Sequence, residues 1–207
     1  MPIIFSNVGI LMYFFELGTQ YDMAKMSYTK LKDGAPGWLK NSDAELSSKR
    51  VSPNEIIYNC MVFLSAAGVI SKILFAGKRS HKKIKSRCEN LRKLMGIGEL
   101  PILNNLSVRN SFEHIDERFD DIFSDLKAKK ITPLNVIEDS TSADELILKR
   151  FDPKELSISF SKHSLSLEDC MVEIIQVESK IRPALAQIEN YGLKKFELWA
   201  PYPVVEV

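Results

Sequence analysis

Between residues 56 and 76 the sequence is apolar almost without interruption. A segment of that kind folds in one of two ways: as a helix buried on most sides by its own chain, or as a membrane span. Its start is marked. Ser52 stands at the cap position, Pro53 at the first helical position and Glu55 three residues after the cap, an arrangement that satisfies the open N–H groups of a first turn. Gly77 closes the run. The basic stretch over residues 78–85 is what the positive-inside rule asks of a span. Against a span, Asn59, Ser65, Ser71 and Lys72 interrupt the apolar surface, so the expectation is a core helix and no membrane association.

A core helix of this sort needs amphipathic partners, and the flanking sequence supplies them. Residues 8–32 read as a helix, ended by Gly34-Ala35-Pro36-Gly37. A short basic helix over residues 80–95 can turn Ile84, Leu91 and Leu94 inward while its lysines and arginines stay wet. Gly96, Gly98 and Pro101 then break the chain. Over residues 103–129, Val108, Phe112, Ile115, Phe119, Ile122 and Leu126 alternate steps of four and three, which predicts a helix with one buried stripe.

After residue 130 the period changes. Leu156, Ile158 and Phe160 alternate with Ser157, Ser159 and Ser161 as in a half-buried strand, Lys162 and His163 turn it back, and residues 164–167 return. A last helix over residues 168–190 follows, with Ser166 and Asp169 spaced as a capping pair and Pro183 placed to kink it. The Pro-rich end, residues 199–207, should be extended. The expected fold class is mostly α: a helical bundle over residues 1–130, then a small β-hairpin plus helix over residues 131–207 packed on the same domain.

A net charge of +1 over 207 residues provides no bulk field for a polyanion, so any nucleic acid would have to be held by a local cluster. Lys78, Arg79, Lys82, Lys83, Lys85 and Arg87 form one, continued by Arg92 and Lys93 and opposed only by Glu89. It can track an RNA backbone or simply solvate a helix. Without interleaved aromatic residues it would read little sequence. His81 reads as a surface residue. Cys60, Cys88 and Cys170 have neither zinc-site spacing nor an even number, which fits a reducing, cytoplasmic setting, and Cys60 should be a small buried hydrophobe. Residues 2–15 are apolar but lack a basic flank or a cleavage pattern and read as folded protein. Tyr13, Phe14, Phe15 and Tyr21, with Met12, Met23 and Met26, should lie in the core or at a dimer interface.

Chemistry gathers at Arg109, Asn110 and His114. Histidine moves protons near neutral pH and arginine offsets charge building on phosphate oxygens, so the pair suits phosphodiester cleavage without a metal or other cofactor. On one helix Arg109 lies about 140° from His114, and a second copy across a dimer axis removes that limitation. The neighbouring carboxylates Glu113, Asp116, Glu117, Asp120 and Asp121 show no metal-ligand pattern with His114, and they repel phosphate. The alternative is a solvated helix face in which Arg109 pairs with Glu113.

The string Arg109-Asn110-Ser111-Phe112-Glu113-His114 resembles the signature of the HEPN superfamily, an arginine, a polar neighbour and a histidine a few positions on. The longer string RNSFEHIDERFDD, preceded by FLSAAGVISKIL and ENLRKLMGI, resembles uncharacterised bacterial proteins of that kind over residues 57–126, and RFDPKELSISF matches more loosely. The resemblance implies an up-and-down helical bundle that forms a homodimer with two motif helices at one cleft. It implies a metal-independent endoribonuclease of toxin-antitoxin or defence systems, with a protein regulator or antitoxin as partner, or else a non-catalytic interaction module. In the active case Arg109 stabilises the phosphate, Asn110 positions it and His114 assists attack by a ribose 2′-hydroxyl. Asp116 stands where some of these toxins carry a tyrosine that the antitoxin modifies, so that form of control is not implied here.

Overall fold

The computed structural model describes residues 7–39, 51–77, 79–105, 110, 130–136, 145–160 and 163–190. Helix α1 (Asn7–Gly34) runs into a 3-10 turn (Ala35–Trp38), and helix α2 (Pro53–Leu74) follows. Then come α3 (Lys82–Met95), the short α4 (Pro101–Asn104), strands β1 (Lys130–Val136), β2 (Glu145–Asp152), β3 (Ser157–Phe160) and β4 (His163–Ser166), and helix α5 (Leu167–Asn190). The described residues are mostly helical.

The apolar run is α2, and its cap is as the sequence dictates: Ser52 Oγ accepts the Glu55 N–H at 3.1 Å. By length and composition this helix could cross a bilayer. A little over half of its apolar window is buried within the protein, with Ile56, Cys60, Phe63, Leu64, Ile70 and Leu74 in the core, while Tyr58 and Met61 stay exposed. Buried Asn59 avoids a desolvation penalty by donating to the Glu55 carbonyl at 2.8 Å.

Helices α1 and α2 form an antiparallel hairpin. At one end Trp38 Nε1 donates to the Val51 carbonyl at 3.2 Å, and midway the rings of Tyr28 and Phe63 meet with centroids 6.3 Å apart. Gly34 is required by this closure, since a Cβ there would lie 2.9 Å from a methyl of Val51. Phe14, Leu17, Ala24 and Leu31 form the buried face of α1, which α5 also covers. The N-terminal aromatic cluster therefore divides: Phe14 is in the core, Tyr13 and Tyr21 are partly buried against it, and Met12, Phe15, Met23 and Met26 face outward.

Helix α3 buries Cys88, Leu91 and Met95. Ile84 continues that stripe into the first turn, where it is 39% exposed rather than turned inward. The helix ends in a Schellman arrangement: Gly96 takes the left-handed conformation (φ 61°), its N–H reaches the Lys93 carbonyl, and the Ile97 N–H reaches Arg92 at 2.9 Å. A Cβ on Gly96 would meet nothing within 4 Å, so Gly96→Ala carries a backbone penalty alone. The expected loss is about 1 kcal/mol in urea unfolding.

The expected hairpin is present as β3 and β4, with Ile158 paired to Leu165 and Ser159 to Ser164. Ile158 and Phe160 are buried while Ser157 and Ser159 are partly exposed. Leu156 lies outside the strand, in a turn at φ 43°, and its carbonyl accepts the Leu167 N–H at 2.9 Å. His163 begins β4 opposite Phe160 instead of lying in the turn. Ser166 Oγ caps α5 by accepting the Asp169 N–H at 3.1 Å, and α5 continues through Pro183.

Two strands were not expected. β1 pairs in parallel with β2, giving one sheet in the order β1-β2-β3-β4. Pro133 is tolerated because β1 is the edge strand and the ladder skips that position. A second difference concerns the helix expected from residue 103. The chain leaves helical conformation at Asn105 (φ −133°, ψ 70°), and Asn110 is helical again. The stripe from Val108 to Leu126 and the end over residues 199–207 lie outside the described residues. One core joins both ends of the chain, with Phe151, Ile158, Phe160 and Leu167 in the same cluster as Phe63 and Leu74.

Candidate functional site

Of the three motif residues, Asn110 is described: it is helical and exposed. Arg109 and His114 lie outside the described residues, as does Lys78. Upstream, the described chain runs to Asn105. Pro101 opens α4 at a position where its missing N–H costs nothing, but Leu100 provides no side-chain cap. The carboxylate of Glu173, on α5, does so from a distance in sequence. Its two oxygens accept the N–H groups of Ile102 at 3.0 Å and Leu103 at 2.8 Å. Glu173 is buried, and its negative charge sits at the positive end of the short helix. Helix α4 is thereby tied to the last helix.

Nothing local in the sequence announces this role. The one available sign is that Glu173 occupies the buried stripe of α5, between Cys170 and Val177, where an ionised side chain needs partners.

The basic cluster begins just before α3. His81 caps that helix, its Nδ1 accepting the Lys83 N–H at 3.3 Å, and is exposed as expected. Arg79, Lys82, Lys83 and Lys85 are exposed too. Lysines in a first turn are unfavourable, since the helix N-terminus is already positive, and no acidic residue offsets them there. The result is a concentrated patch of positive potential at one helix end.

Arg87 does not belong to that patch. One of its terminal nitrogens donates to the Lys72 carbonyl at 2.9 Å, in the last turn of α2, and the other to the Tyr13 hydroxyl at 3.3 Å, with the guanidinium 5.0 Å from the Tyr13 ring centre. It satisfies a carbonyl that the helix end leaves open and ties α1, α2 and α3 together. Arg92 likewise stacks over Phe75 at 5.0 Å. Arg87→Met should therefore lower stability by about 2 kcal/mol in urea unfolding.

The cysteines are all unpaired and buried. Burial pushes the Cys60 thiol far up, and burial with the nearby Glu173 and Asp169 charges pushes Cys170 up to about 12, so neither is a nucleophile. Among the described residues no group of three His, Cys, Asp or Glu side chains could hold a metal ion. A small cavity between α1 and α3, lined by Ile10, Tyr13, Arg87 and Leu91 among others, has room for about one water molecule.

No protein-family model, curated protein or solved structure matches the chain.

Proposed function

We propose that the chain is a HEPN-type, metal-independent endoribonuclease working in the cytoplasm in a toxin-antitoxin or defence setting, with a protein regulator as partner. The observation that carries the reading is the string Arg109-Asn110-Ser111-Phe112-Glu113-His114, with Asn110 helical and exposed to solvent. Two subunits bring their motif helices to one cleft. There His114 accepts the proton of a ribose 2′-hydroxyl as its oxygen attacks phosphorus, and the bond to the 5′-oxygen breaks, that oxygen taking up a proton as it leaves. Arg109 offsets the charge gathering on the phosphate oxygens, and Asn110 orients the phosphate.

Exposed Arg79, Lys82, Lys83 and Lys85 hold the RNA backbone beside the cleft. Charge reversal of Lys82 and Lys83 should weaken RNA binding at low salt by about tenfold or more and flatten its salt dependence, as filter binding across a salt series will show. The direct test of the chemistry is RNA cleavage in EDTA by the wild-type chain beside Arg109→Ala and His114→Ala. Activity that survives both changes refutes the assignment.

A second reading is a dimeric interaction module without turnover. The run of carboxylates at Glu113, Asp116, Glu117, Asp120 and Asp121 favours it, because those charges oppose a phosphate at His114. Binding of RNA without cleavage by any form of the chain would select it.

A further inference from the structure

Charge is unevenly divided over the chain. Residues 7–15 and 71–88 contain seven Lys or Arg and no Asp or Glu, so with the whole chain at +1 all other residues together carry −6. These two stretches share one end of the α1–α2 hairpin, opposite the end that Trp38 and Val51 close. Arg87 joins them: its guanidinium donates to the Lys72 carbonyl of α2 and to the Tyr13 hydroxyl of α1, which sets the first turns of α3 against that end. The nearest carboxylates along the chain are Glu16, which accepts the Gln20 amide at 2.8 Å, and Glu89, further along α3.

The same end carries apolar side chains that the core does not take in. Met12 and Phe15 on α1 are 63 and 66% exposed, and Ile84 stands in the first turn of α3 with exposed Arg79, Lys82 and Lys83 close to it in the chain. Cations and exposed apolar groups together, without carboxylates, are complementary to an anionic bilayer surface. There the basic groups meet charged headgroups, and the apolar side chains enter the boundary with the acyl chains. RNA offers the cations the same attraction but gives Met12 and Ile84 nothing apolar to bury against. Docking of this kind requires no membrane span.

We propose that this end of the bundle docks on an anionic lipid surface, with Met12, Phe15 and Ile84 entering the interface and Arg79, Lys82 and Lys83 facing the headgroups. On a membrane Lys82 and Lys83 are withdrawn from RNA. The docking itself uses none of Arg109, Asn110 and His114, so it stands or falls apart from the nuclease reading. Flotation of the full chain with vesicles gives the first test. Wild type should bind mixed phosphatidylcholine–phosphatidylserine vesicles and not pure phosphatidylcholine. Lys82→Glu with Lys83→Glu should weaken binding at least about tenfold. Met12→Ser with Phe15→Ser, exposed changes whose fold circular dichroism will verify, should do the same at least about tenfold while RNA affinity stays unchanged. The second test is orientation. Met12→Cys carrying an environment-sensitive fluorophore should shift to the blue on the mixed vesicles, and Lys30→Cys, about 27 Å further along α1, should not, the native thiols being buried. Failure to bind the mixed vesicles, equal binding to neutral ones, or equal shifts at both labels would each overturn the proposal. So would binding that the charge reversal abolishes and Met12→Ser with Phe15→Ser leaves intact, which would return this end to polyanions such as RNA.

Discussion

Replacing His114 by alanine should reduce RNA cleavage by about 10² to 10⁴, the range that a positioned proton-transfer group contributes. Arg109→Ala should cost about 10² to 10³ through loss of charge stabilisation on the phosphate oxygens. Arg109→Lys should restore only part of it, because an ammonium cannot offer the paired donors of a guanidinium to two oxygens. Asn110→Ala should have the smallest effect of the three, since an orienting side chain stabilises the reacting geometry without carrying charge or proton. Each variant is to be compared at equal fold, with unchanged thermal melting, and with RNA affinity measured separately. A loss that appears wholly in binding would move His114 from the chemistry to substrate recognition.

The largest stability change is expected at Glu173. Only a carboxylate can accept from both Ile102 and Leu103, at 3.0 and 2.8 Å, and both donors sit where no helical carbonyl can replace it. Glu173→Ala leaves two N–H groups without acceptors, and charge-assisted bonds of this kind are worth more than neutral ones, so the loss should be about 3 kcal/mol in urea unfolding. Glu173→Gln keeps one acceptor and turns an amide donor toward the other N–H, for a loss of about 2 kcal/mol. If both substitutions proved neutral, α4 would not be held by α5.

The parts of the fold legible in the sequence are those with local causes. Ser52 with Glu55, Ser166 with Asp169, and Gly96 each mark a helix end within a few residues of the groups they satisfy. The alternation of Ile158 and Phe160 with serines likewise reports a half-buried strand directly. β1 and β2 were hidden for physical reasons. Pro133 argues against a strand except at a sheet edge, and β2 buries Leu148 and Phe151, three apart, so it shows no period of two. Their parallel pairing leaves no mark that either segment carries alone.

The same distinction holds for the site. Arg109, Asn110 and His114 are singled out by their residue types and by the resemblance of their string to the HEPN signature, their spacing alone fitting a solvated helix face as well. Glu173 and Arg87 carry no such mark, since their roles depend on groups 70 and 74 residues away along the chain. Counting Arg87 with the exposed basic residues followed from its neighbours in sequence. The open carbonyl of Lys72 and the ring of Tyr13 decide otherwise.

The chemistry proposed for His114 is most directly read from the ends of the product. On the proposed mechanism, in which the ribose 2′-oxygen is the nucleophile and no metal takes part, a defined RNA incubated with the wild-type chain in EDTA should yield fragments bearing 2′,3′-cyclic phosphate and 5′-hydroxyl groups. RNA that stays intact, or fragments with 3′-hydroxyl and 5′-phosphate ends, would contradict it.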